Sequence, residues 1–261
     1  MTARDNATDQ DSIGTRRSIF FAVLAGLCPL IPLPFIDDIA LDFVRKRLLT
    51  SLFAAFQLEL TPVHLAALLQ TEKSNRLVGC FVGIVLYPVK KIFRKIFFVL
   101  AVKDCVDSAS AVLHEGLLVR HALASGLVDR ASLDVGTDTL LALNRAIRTT
   151  CQQTDTRPVN QVFRRVFTAS RSALADAAAA LASLIRNKGG SRKNPQPVQT
   201  AFEHAEHQSN PQVDRLVDAI GSQVFTEPGY LDALEKRFEN NFRSELQASP
   251  SSRHPRPGPR G

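Results

Sequence analysis

The sequence predicts an all-α protein, a helical bundle with an apolar, proline-broken helical hairpin near its start and disordered termini. Three observations carry this reading. Apolar residues recur at helical spacing through most of the 261 residues. No alternating run is long enough to make a convincing sheet. Breaks between the periodic stretches fall at proline and glycine.

Residues 1–17 are polar and read as a disordered tail. Residues 19–36, IFFAVLAGLCPLIPLPFI, hold no charge, and their length alone suits a membrane span. Pro29, Pro32 and Pro34 remove backbone donors and block the αR conformation before them, so a helix ends near Cys28 and an extended turn follows. Asp37 or Asp38 then suits the N-cap of an amphipathic helix carrying Ile39, Phe43, Leu48 and Leu49. Thr61-Pro62 reads as an N-cap followed by proline at the first helical position. Residues 77–89 form a second uncharged run, interrupted by Pro88. A helix extends from Lys90 to about Leu123, where Gly126 supplies a C′ residue. Residues 140–151 and 158–186 read as further helices, and KGGSRKNPQPV marks a linker over 188–198. Residues 213–220 and 230–246 are short helices in an acidic segment, 199–248, and 249–261 is a second disordered tail. Residues 18–187 form the helical, membrane-associated core in this scheme.

Hydrophobic residues at 45% and charged residues at 22% exclude a wholly disordered chain. A mean hydropathy of −0.01 is too low for a protein made mostly of membrane spans. Cys28, Cys80, Cys105 and Cys151 are far apart, which favours reduced thiols and an intracellular setting over a disulfide framework. The net charge of +7 is unevenly distributed. Residues 76–103 carry six cations and no acid, residues 131–198 are net +6, and residues 199–248 are net −5. The acidic segment is therefore either a surface for a protein partner or a piece that folds back on the basic one.

Residues 88–102, PVKKIFRKIFFVLAV, carry the sharpest functional signal. Lys90, Lys91, Arg94 and Lys95 fall on one face of a helix, and Phe93 and Phe97 on another. Such a helix suits a bilayer interface, with rings in the acyl boundary and cations toward anionic headgroups, each worth about 1 kcal/mol. A solvated surface helix over an ordinary core shows the same pattern. The expectation is a non-catalytic scaffold or interaction module, membrane-associated on the cytoplasmic side, with anionic lipid as its partner. Thr15-Arg16-Arg17 before the apolar run resembles a twin-arginine export signal, but no A-x-A cleavage site follows, and the run continues into a helix that looks integral.

A second reading is enzymatic. Asp107, His114 and His121 are spaced by seven and share a helix face, and Asp38 can reach the same place from the hairpin. A carboxylate and an imidazole on one stripe can hold a metal or orient a general base, which makes Asp107, His114 and Asp38 the candidates. HEGLLVRH fails as a zincin motif, because Leu118 stands where the second ligand is needed. A solvated stripe is the plainer reading of these residues, as it is for Glu203, His204, Glu206 and His207. No cofactor is expected, since G-x-S-x-G, P-loop and G-x-G-x-x-G patterns are absent. A third reading takes Arg145, Arg148, Arg164, Arg165 and Arg171 as a phosphate-tracking face of a nucleic-acid adaptor; zinc-finger and RNP-like runs do not accompany it.

AGLCPLIPLPFIDD, an apolar arm turning through spaced prolines into acidic residues and an amphipathic helix, resembles uncharacterised bacterial EcsC-like proteins and the helical regions attached to some membrane-associated GTPases. The likeness covers roughly residues 19–50, with a looser echo at 88–126. It implies membrane association without established catalysis, and no catalytic residue is carried over.

Overall fold

The computed structural model describes residues 3–31, 33, 36–70, 94–190, 194–207, 211–226 and 228–248, with side chains from Gly14 in the first helix and from Val102 in the long one. Eleven α-helices and no strand occur among them, as the sequence predicts. They are α1 (Ala3–Leu27), α2 (Ile36–Ala55), α3 (Pro62–Leu68), α4 (Arg94–Ala124), α5 (Arg130–Val135), α6 (Asp138–Gln153), α7 (Arg157–Ala169), α8 (Arg171–Asn187), α9 (Gln196–His207), α10 (Pro211–Val224) and α11 (Tyr230–Ala248).

Helices α1 and α4 form the axis of the bundle and share its most extensive helix pairing. Phe21 to Ala25 and Leu27 in α1 are buried in succession, as are Leu117, Leu118 and Val119 in α4. Burial on every side is what an apolar stretch without a polar face requires. Around this axis α2 and α10 pack on α1, α7 packs on α4, α11 lies on α6, and α9 bridges α8 and α2. The outer helices are one-sided: α7 buries Val159, Phe163, Val166 and Phe167 and exposes Arg164 and Arg165. The buried apolar residues of all these layers form one continuous cluster.

Several local readings hold. A 3-10 turn at Cys28–Leu30, with Pro29 inside it, follows α1 and leads into extended Ile31. Thr61 caps α3, its Oγ1 accepting from His64 N at 3.2 Å, with Pro62 next. Gly126, at φ +68, follows the end of α4.

Four expectations change. The tail assigned to residues 1–17 is helical from Ala3. Its described part is held by tertiary partners that composition does not show: Gly14 is buried against Arg120, Arg16 pairs with Asp218 at 2.7 Å, and Arg17 donates to Ser51 O. Asp37 and Asp38 lie inside the first turn of α2, not before it, where carboxylates still favour the helix dipole. The stretch read as 158–186 divides into α7 and α8 at Ser170. The linker at 188–198 is shorter than expected, because Pro197 and Val198 are buried in α9. The tail 249–261 and the uncharged run 77–89 lie outside the described residues.

Candidate functional site

Helix α4 interrupts its apolar sequence with two polar pairs, His114-Glu115 and Arg120-His121, and both point into the bundle. Each finds a partner on a helix distant in sequence. Glu115 meets Arg45 of α2 in a bidentate pair, Nε to Oε2 and Nη2 to Oε1, both 2.7 Å. Arg120 donates to Thr15 Oγ1 of α1 at 2.8 Å and to Glu235 Oε1 of α11 at 3.2 Å. His114 holds Ser110 O through Nδ1 at 2.6 Å and Tyr230 Oη through Nε2 at 2.6 Å. Since a carbonyl only accepts, Nδ1 carries the hydrogen, and in the neutral ring Nε2 accepts from Tyr230. Burial pushes the His114 pKa down, against the opposing pull of the Ser110 bond.

His121 has the opposite surroundings. Its Nδ1 lies 3.3 Å from Glu235 Oε2 and its Nε2 lies 3.1 Å from Glu239 Oε1. The Glu235 bond, reinforced by Glu239, raises the His121 pKa, and His121 together with Arg120 lowers that of Glu235. Glu239 also accepts from Arg243 Nη2 at 2.8 Å.

Beside the Arg45–Glu115 pair is a cavity of about 230 Å³, also lined by Leu49, Asn144, Arg148 and Cys151. Asn144 Nδ2 closes one rim by donating to Ala67 O and Gln70 O at the end of α3. Burial and the neighbouring Glu115 carboxylate push the Cys151 thiol up to about 12, so it is a poor nucleophile.

The enzymatic candidates do not converge. Asp107 is exposed and takes Lys103 Nζ at 2.8 Å, Asp38 is exposed on α2, and both ring nitrogens of His114 are engaged in the interior. The solvated-stripe reading is correct for Asp107 and wrong for His114, which is 1% exposed. Among the described residues, no three His, Cys, Asp or Glu side chains are grouped to hold a metal. Lys90, Lys91 and Phe93 lie outside the described residues; Arg94, Lys95 and Phe97 fall in the first turn of α4, with their side chains undescribed.

Part of the basic face is engaged. Arg145 Nε donates to Glu245 at 2.7 Å, and Arg165 Nη1 donates to Gln223 at 3.2 Å. The acidic segment folds onto the bundle, mostly outside the basic blocks: Glu206 pairs with Arg47, Asp218 with Arg16 and Glu235 with Arg120, while Glu245 pairs with Arg145 of the 131–198 block. Arg45, Tyr230, Glu235 and Glu239 escaped the sequence reading, because each lies far along the chain from its partner. The available signal was HE and RH set within an apolar helical run. No family model, curated protein or solved structure matches this chain.

Proposed function

We propose that this chain is a non-catalytic helical scaffold or interaction module, held peripherally at the cytoplasmic face of a membrane through anionic lipid. The observation that carries the reading is the block at 76–103, six cations without an acid, where the sequence spacing suits a helix with Lys90, Lys91, Arg94 and Lys95 on one face and Phe93 and Phe97 on another. The apolar arm enters this proposal only as a core element: Ile19, Phe21 to Ala25 and Leu27 are buried within the bundle. No described helix is long and apolar enough to cross a membrane.

The test is flotation of the full chain with vesicles of phosphatidylcholine alone or mixed with phosphatidylglycerol. Binding is expected only to the anionic vesicles, weakening with salt, and reversal of the four cations to glutamate should abolish it. Equal binding by the reversed variant, or no binding by the natural chain, overturns the proposal.

A further inference from the structure

His114 and His121 lie two turns apart on α4, and both reach α11, yet their surroundings favour opposite protonation states. His114 is 1% exposed and binds two uncharged groups, the Ser110 carbonyl and the Tyr230 hydroxyl, so an imidazolium there would be buried without a counter-charge. The carboxylate next to it in sequence, Glu115, is committed to Arg45 through both oxygens. His121 faces carboxylate oxygens at both nitrogens. A neutral imidazole has one N–H, so it would leave a lone pair against one of those oxygens. Only the imidazolium donates to both. The other charged groups at this end of the contact are Arg120 on α4, bound to Glu235 and to Thr15 of α1, and Arg243 on α11, bound to Glu239.

We propose that α11 docks under proton control, held most tightly when His114 is neutral and His121 is charged, and opening more often when either condition fails. The two histidines act on opposite sides of their ordinary value of 6.5. The raised pKa of His121 makes its support complete below 6.5 and lost as pH climbs through its docked value. The lowered pKa of His114 makes its support complete above 6.5 and lost as pH falls toward its docked value. Docking is therefore strongest near 6.5 and declines both ways. Glu235 stays ionised across this range, since His121 and Arg120 hold its pKa down. Release uncovers Leu234, Phe238 and Phe242, along with the face of α6 beneath them. This adds an apolar surface governed by pH, and it does not depend on the membrane reading.

The experiment is hydrogen exchange of the full chain from about pH 5 to about pH 8.5, the interval in which histidines titrate. Rates are corrected for intrinsic pH dependence, and protection of 230–248 is read against that of α7. The expected ratio peaks near 6.5 and falls about tenfold on each side, the scale of one charge-assisted hydrogen bond. His121→Gln should remove the alkaline decline, and His114→Gln the acid one. A flat ratio, a decline shared equally by α7, or variants that keep both declines overturns the proposal. Ring NMR titration of the unaltered chain avoids any folding defect of the variants: His121 must titrate above 6.5 and His114 below it, and the reverse order also overturns the proposal.

Discussion

Arg45 and Glu115 set a charge pair against the bundle interior, with side chains 22% and 10% exposed. Removing one partner of such a pair leaves the other charge without compensation, which typically costs 3–5 kcal/mol, whereas exchanging both for apolar groups is often close to neutral. Glu115→Ala is therefore expected to destabilise the chain by about 3 kcal/mol in urea unfolding, and Arg45→Met combined with Glu115→Leu to recover most of that loss. A single variant as stable as the natural chain would place this pair in solvent. The neighbouring stripe shows what helical spacing conveys. Asp107, His114 and His121 do share an angle around α4, but Asp107 lies in solvent, Tyr230 covers His114, and α11 half-covers His121. Periodicity fixes the angle of a side chain, while the depth around it belongs to the neighbouring helix.

At the scale of elements, the approach of α1 to α4 is set by small residues. A Cβ on Gly116 would lie 2.6 Å from Ser18 Oγ and 2.9 Å from Ser18 Cβ; one on Gly26 would lie 3.2 Å from Cys105 O of α4 and 2.8 Å from the Phe167 ring of α7. Alanine in mid-helix ordinarily gains up to about 1 kcal/mol over glycine. Here overpacking outweighs that gain, because the obstructing atoms belong to a buried serine held to Gly14 O at 2.9 Å. Gly116→Ala is expected to lower stability by about 1–3 kcal/mol, with partial recovery in Gly116→Ala with Ser18→Gly, measured by thermal unfolding of both variants. A stabilised single variant would mean that α1 and α4 do not approach this closely.

For the whole molecule, the acidic helices supply carboxylates to α1, α2, α4 and α6, so charge segregated along the chain becomes pairing in space. Most such pairs on an open surface contribute under about 1 kcal/mol. The apolar cluster beneath them does more to hold the layers, and it also shields the thiols. Cys28 and Cys105 are buried and Cys151 is half-buried; burial raises all three, Cys105 and Cys151 to about 12. In a Cys80→Ser chain, these thiols are expected to react with a disulfide reagent at pH 8 roughly a hundredfold or more slowly than free cysteine, and fully in guanidinium. Fast labelling without denaturant would contradict this packing.

The helical class and many helix ends were legible from local chemistry alone. Thr61-Pro62 starts α3, Gly126 follows α4, and α8 stops where Gly189 adopts φ +71 and Gly190 N–H reaches Ile185 O at 2.8 Å. These signals work because a cap and its orphan backbone group are neighbours in sequence. What only the tertiary structure decided is where the uncharged arm at the start goes, and what the polar pairs of α4 meet. An apolar run gains by leaving water whether protein or lipid receives it, so its composition is the same in either setting. The receiving surface for α1 is α4, far along the chain, and the partners of Glu115, Arg120 and His121 come from α2, α1 and α11. Pairing across such separations leaves no periodic trace in the sequence, because it depends on which faces the packed helices turn toward one another.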